Sequence, residues 1–362
     1  LAMAHLRMHR PPTRGHWQRG LTLVEFMVSV TIGLLMVAAI ATLIADQSGN
    51  RAEVDRSGRM IENGRYAVRA VADDLQLSGY WGELNGVPTV AVLAALPNPC
   101  STTLADIEAA SQLHVQGYDN PAPAAVTALG CINNQLAGTD ILVVRHADPD
   151  PSSLQTAGVT DLAKLADGQV YIQTGLNLAS SAFIAAVAVG NAASNAASFP
   201  LVKKDKVTRA TVRKFVVRIY YIAQCSVESA GSCAAGDGGS PIPTLKMLEL
   251  NNAAGAVAWA APVTIAEGIE NMQIDYGIDS NADGAPDGDN VLSPAAVGDW
   301  PNVMAVQVHL LARSLDRSPA FVDDKAYVLG AGGAVATAGT GFKRHVFVQS
   351  VRMVNPSARR QS

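Results

Sequence analysis

Hydrophobic positions fall into three regimes along this chain. From Leu21 to Ala45 they run almost unbroken as LTLVEFMVSVTIGLLMVAAIATLIA, with Glu25 as the one charge and no proline. At a rise of about 1.5 Å per residue such a helix crosses a hydrocarbon core of roughly 30 Å, so residues 21–45 are predicted to span a membrane. Beyond Ala45 the pattern turns amphipathic: Val54, Ile61, Val68, Val71 and Leu75 recur near three, four or seven apart, with Arg and Glu between them. That predicts helix to about Ser78 with Gly79 as C-cap, roughly 87 Å from end to end. Gly49, Gly58 and Gly64 each weaken it by about 1 kcal/mol relative to Ala, so a bend or local melting is expected there.

After Gly79 the period shortens towards two. Asp140–His146, Gln169–Gln173, Val212–Ala223, Thr244–Leu250, Ile269–Ile278, Val303–Ala312 and Phe342–Val354 read as strands rich in Val, Ile and Tyr. The Pro, Gly, Ala and Asn-rich stretches 85–139, 175–200, 225–243 and 279–300 read as long loops. The expected fold class is α+β: a long N-terminal helix packed on a mostly antiparallel sheet. Its divisions are a leader over 1–20, the helix over 21–78 and a β-rich head over 79–362.

Charge sharpens this picture. The formal net charge is −4, yet Arg7, Arg10, Arg14 and Arg19 all precede Leu21 with no acidic residue among them, so the remainder of the chain is more acidic than the whole. A basic flank before the apolar run keeps that side in the cytoplasm and sends the large body across. The acidic body gives no charge argument for nucleic-acid binding. Cys100, Cys131, Cys225 and Cys233 form no C-x-x-C pair and no zinc spacing with His. In an oxidising compartment, sequence proximity favours Cys100 with Cys131 and Cys225 with Cys233 among three connectivities.

The segment Arg19-Gly20-Leu21-Thr22-Leu23-Val24-Glu25 resembles the class III signal of type IV prepilins. The resemblance implies a cut after Gly20 on the cytoplasmic side, with the apolar helix retained and Leu21, where most members have Phe, becoming an N-methylated N-terminus. An ionised carboxylate in a bilayer normally has a partner or a purpose. In the resembled family the glutamate at mature position five, here Glu25, attracts the N-terminal amine of a neighbouring subunit and sets axial register. The plainer reading is a glutamate that reaches the headgroups.

Asn63-Gly64-Arg65-Tyr66-Ala67-Val68, Asp74-Leu75 and Leu77-Ser78-Gly79-Tyr80 look like the block after the membrane helix in the PilW family of type IV pilus minor pilins. Thr139–Leu142, Phe215–Ile222, Glu267–Asp279, Val303–Ser314 and Val351–Asn355 follow in the order that family shows. The resemblance implies a structural, non-enzymatic subunit at or near the pilus tip that helps initiate polymerisation. Its implied partners are the prepilin peptidase/N-methyltransferase, other minor pilins, the major pilin and a tip adhesin. Its implied course runs from a single-pass inner-membrane protein with a periplasmic head to the pilus at the cell surface. A head that takes up everything from Gly79 to Ser362 is bulky for a subunit repeated along a thin filament, which favours a sparse or terminal place. The rivals are a minor pseudopilin of a type II secretion system and, from another class, a membrane-anchored enzyme or binding protein.

No cofactor is required by this reading. One loop could take calcium: Asp279, Asn281, Asp283 and Asp287 stand at positions 1, 3, 5 and 9, with Gly284 at position 6, of an EF-hand-like pattern. Position 12 is Asn290 instead of the bidentate Glu and no helical pattern flanks the loop, so a solvated Asp/Asn/Gly turn is the competing reading. Gly236-Asp-Gly-Gly-Ser-Pro241 has its serine after both glycines, the wrong order for a nucleophile segment. Gly330-Ala-Gly-Gly-Ala reads as a hairpin loop. Lys203, Lys204, Lys206, Arg209, Arg213 and Lys214 make the one basic cluster, read as a solvated strand edge in preference to a DNA or pilin contact.

Overall fold

The computed structural model describes residues 20, 22–84, 93–175, 183–319, 321–336 and 339–361. Two compact units divide the chain, Leu1–Val54 and Asp55–Ser362. Helix α1 (Leu23–Leu77) begins in the first and ends in the second. Its first part leaves Leu23, Phe26, Met27, Leu34, Leu35 and Ile44 exposed. It is long and apolar enough to cross a membrane, and none of that apolar window is buried. A single-pass anchor accounts for such a surface, because lipid gives it the apolar surroundings that water denies.

Within the second unit α1 buries Met60, Gly64, Ala67, Val68, Val71, Ala72, Asp74 and Leu75, steps of one, three and four that make one face. The melting expected at the glycines does not occur, and α1 is continuous through all three. Gly49 and Gly58 face open space, so each brings only its propensity penalty of about 1 kcal/mol, which the helix formers beside it absorb. Gly64 is held by packing.

Short helices α2 (Leu104–Ala110) and α3 (Pro123–Leu129) flank strand β1 (Val115–Tyr118). Then come β2 (Ile141–Ala147), the ribbon β3 (Gln155–Thr156) and β4 (Val159–Thr160), β5 (Val170–Thr174), β6 (Phe183–Val187), α4 (Ala192–Ser198) and β7 (Val212–Ala223). Next are β8 (Thr244–Ala253), β9 (Ala256–Trp259), β10 (Val263–Glu267), β11 (Ile269–Ile278) and β12 (Val303–Arg313). The pair β13 (Ala326–Val328) and β14 (Ala334–Ala336), then β15 (Arg344–Arg352) and α5 (Val354–Arg360), complete the order. One sheet runs β1-β2-β7-β5-β6, with β8 on β7 carrying β9 and β10; a second runs β11-β12-β15. The strand pairings are antiparallel. This is the α+β arrangement expected, a long helix with mostly antiparallel strands.

Alternation along β2 explains the layering. Leu142 and Val144 join α1 and the second sheet in one core with Leu75, Met272, Ile274 and Leu310, while Ile141 and Val143 point into another with Trp81, Ile172, Phe215 and Ile219. A sheet covered on both faces needs a continuous apolar run, and β2 is buried along its whole length. Truncating fully buried Leu75 to Ala is expected to destabilise the head by about 2–5 kcal/mol.

Two of the expected loops are corrected. Among the described residues, 85–139 holds α2, β1 and α3, and 175–200 holds β6 and α4. Each of these elements is too short for a hydrophobic period to register. Stretches 225–243 and 279–300 hold, among the described residues, no helix or strand beyond the 3-10 turns Asp237–Gly239 and Val297–Asn302 and the isolated bridges Ser229–Ser232 and Tyr276–Val291.

Candidate functional site

Gly20 is exposed with open space around its Cα, whereas Leu21 and residues 1–19 lie outside the described residues. Glu25 is engaged by its own chain. Its Oε2 accepts from Thr22 N at 3.1 Å and from Thr22 Oγ1 at 3.0 Å, while Glu25 N donates to Thr22 Oγ1 at 3.2 Å. Thr22-x-x-Glu25 is thus a reciprocal capping box, which satisfies donors at a helix start where lipid would offer no partner. The T-x-x-E spacing was legible in the sequence, although the charge of Glu25 and its place five residues after Gly20 are what drew attention to it.

The Asn63–Tyr80 block joins helix to head. Asn63 Nδ2 donates to Glu267 O at 3.0 Å. A Cβ on Gly64 would overlap the Phe347 ring, with Cζ at 2.6 Å. Asp74 is buried and takes three partners: Arg218 Nη1 at 2.7 Å, His146 Nε2 at 3.1 Å and Tyr220 Oη at 3.1 Å. Burial opposes its ionisation, but the His146 hydrogen bond and the Arg218 charge outweigh burial and hold the carboxyl below its ordinary range. Arg218 Nε also reaches Glu249 Oε2 at 2.9 Å, and Lys214 Nζ reaches Glu249 Oε1 at 2.7 Å. One ionic chain therefore runs from α1 across β7 to β8.

The end of the chain closes the end of α1. Asn355 Nδ2 lies 3.2, 3.4 and 3.3 Å from the carbonyl oxygens of Gln76, Leu77 and Ser78, at the helix end where carbonyls outnumber intrahelical donors. Gly79 takes φ +69°, its N–H donates to Arg145 O at 2.9 Å, and its own carbonyl accepts from Arg359 Nη1 at 2.7 Å. Gly79 thus acts as the C-cap, but Asn355 and Arg359, from the far end of the sequence, complete it.

The acidic loop is organised around N–H donors. Asp279 accepts from Ala282 N, Gly284 N and Arg360 Nη1 at 2.7, 2.9 and 2.8 Å. Burial opposes ionisation there, and the Arg360 and backbone bonds overcome it. Asp287 accepts from Ser280 and Asn281, and Asp283 from Asn281 and Ala285. Among the described residues no group of three or more His, Cys, Asp or Glu is placed to hold a metal. Arg360 was not foreseen, since nothing local marks a cation so distant in sequence as the loop's partner.

Disulfides join Cys100 to Cys131 and Cys225 to Cys233. Gly236–Pro241 is a loop in which Asp237 accepts from the Ser226, Val227 and Ile242 amides. Gly330 lies over a buried pair, His309 Nε2 and Asp275 Oδ2 at 3.0 Å, with Ala331 N donating to the same carboxylate. Among the described residues no Ser, Thr or Cys hydrogen-bonds that imidazole, so the pair lacks a nucleophile. In the basic cluster Arg213 donates to Asp148 O and Pro149 O, Arg209 to Phe199 O, and Lys214 pairs with Glu249.

Residues 219–355 match the family model described as Type IV Pilus-assembly protein W, so the resemblance read from the sequence holds across the second part of the head. A solved type IV-like pilin from Thermus thermophilus is similar at 17% identity, covering 39% of this chain and 79% of that one, with a TM-score of 0.18. No curated protein matches.

Proposed function

We propose that this chain, whose residues 219–355 match the PilW family, is a minor pilin of a type IV pilus. In this reading Gly20 marks the cut made by a prepilin peptidase and Leu21 becomes the methylated N-terminus. The helix then holds the subunit in the inner membrane with its head in the periplasm until assembly. Glu25 exchanges its internal Thr22 cap for the N-terminal amine of a neighbouring minor or major pilin, and a charge pair among apolar helices is far stronger than one in water. The subunit then sits at or near the tip, where it helps to start the filament and carries a tip adhesin.

The observation that carries the proposal is the family match on residues 219–355 together with the exposed apolar first part of α1. The ionic chain from Asp74 through Arg218 to Glu249 joins α1 to the sheet, which suits a structural role. The test is deletion of the gene followed by pilus imaging, with mass spectrometry of the N-terminus. Loss of pili and an N-methylated Leu21 are expected. A retained leader in cells with active prepilin peptidase points to a signal-anchored protein of another class. Intact pili with failed protein secretion point to a pseudopilin.

A further inference from the structure

We propose that the head binds a neutral oligosaccharide in a groove between the end of α3 and the end of β7. The groove encloses about 440 Å³, within the range of small-ligand sites. Its polar wall consists of amides, Asn133, Asn134, Gln135 and Gln224, with Thr127 beside them. Its apolar part is Pro123, Val126 and Ile132. No lining residue ionises, so an anionic ligand would lose hydration without meeting a counter-charge. Asn134 Nδ2 donates to the exposed Glu228 carboxylate, which adds to the case against an anion. Primary amides present donors and an acceptor in one plane, which suits vicinal hydroxyls that also donate and accept. The small aliphatic surface suits the C–H face of a sugar ring.

The walls are set before any ligand arrives. Leu136 N donates to Ile222 O at 2.7 Å and Gln224 N to Asn134 O at 2.9 Å, so residues 134–136 continue the ladder at the end of β7. Gln224 Nε2 donates to Gln135 O at 3.2 Å, and Gln135 Nε2 to Thr139 O at 2.8 Å. Both disulfides frame the groove: Cys131 lies in its loop, Cys225 follows Gln224, and Asn134 Nδ2 stands 3.7 Å from Cys233 Sγ. Asn134 has φ +51°, a backbone state that Asn tolerates better than most residues. Among the described residues the exposed Asn133 amide has no hydrogen-bond partner, and the amide oxygens of Asn134 and Gln224 accept none. These are the groups left for a ligand. A peptide strand is disfavoured because the wall's backbone groups are already paired with one another.

This inference is independent of assembly, so its failure leaves the pilin proposal standing. The test is saturation-transfer NMR on the full chain in a sugar-free detergent, with maltotriose and chitotriose as neutral probes and sialyllactose as the charged control. Transfer from at least one neutral probe is expected. Asn133→Ala with Gln224→Ala, both at exposed positions, should weaken it about tenfold or more, equal to about 1.4 kcal/mol. Thr127→Trp, which fills the groove from its exposed rim, should abolish it and decides the matter if the double variant misfolds. The proposal is overturned if neither neutral probe binds up to about 10 mM. Transfer from sialyllactose alone, or transfer unchanged in folded variants, overturns it equally.

Discussion

The ring of Phe347 on β15 occupies the space where a side chain on Gly64 of α1 would begin, with Cζ 2.6 Å from that Cβ position. A helix glycine that looks like a weakness is therefore a point of close approach between α1 and the second sheet. Gly64→Ala should gain about 1 kcal/mol of helix propensity and lose more through overpacking, typically about 1–3 kcal/mol. Denaturant unfolding of the full chain should show a net loss, and adding Phe347→Leu should recover part of it. Additive effects of the two substitutions would contradict the contact.

Asp74 and Arg218 form the ionic joint between helix and sheet. Removing the carboxylate with Asp74→Ala leaves Arg218, His146 and Tyr220 short of their shared acceptor, a change expected to destabilise the head by about 3–5 kcal/mol. The cost should fall in Asp74→Ala/Arg218→Met, since a guanidinium left, among the described residues, with Glu249 as its one carboxylate partner is gone. A thermal or urea double-mutant cycle measures this coupling.

Two buried groups give opposite pH dependences. Asp140, which accepts from the Asn120 and Ile274 amides, is raised to about 7 by burial. The native state holds its proton longer than the unfolded chain, so its contribution to stability declines as pH rises from about 4 to 7. His114, with Nε2 2.7 Å from Val303 O, is lowered to about 4 by burial. There the unfolded state takes the proton first, so stability is lost as pH falls from about 6.5 towards 4. The two slopes oppose each other in that window. In His114→Gln, unfolding followed from about pH 4.5 to 6.5 should show stability falling more steeply with rising pH than in the wild type.

Arg360 and Asp279 bear on calcium. Because the guanidinium already stands at the first ligand position of the acidic loop, about 5 mM calcium should not raise the melting temperature of the wild-type chain. Arg360→Gln should lower it, since the buried Asp279 carboxylate loses a charge-assisted bond worth about 1.5–3 kcal/mol. Calorimetric heat from calcium on the wild-type chain would revive the metal reading.

The docking role proposed for Glu25 is tested in the filament. Glu25→Ala should leave removal of the leader, residues 1–20, largely intact, as judged by immunoblot, while pilus incorporation drops severely. Normal piliation and twitching would contradict the docking role.

The sequence by itself determined the long helix and seven of the strands, because each rests on a short-range period, while the remaining strands and the division into two sheets were not legible in it. An apolar run as long as the one from Leu21 to Ala45 has one solution in lipid. The alternating runs from Val212 to Ala223 and from Ile269 to Ile278 coincide with β7 and β11. The Asn63–Tyr80 block was visible as a pattern but not as a mechanism. Only the tertiary structure decided that Gly64 admits Phe347, that Asp74 meets Arg218, and that Asn355 caps the helix begun at Leu23. These contacts join positions far apart in the chain, where no local period carries information and chain closure alone sets which groups meet. The acidic loop shows the same division: its spacing suited a cation, and the fold supplies one as Arg360.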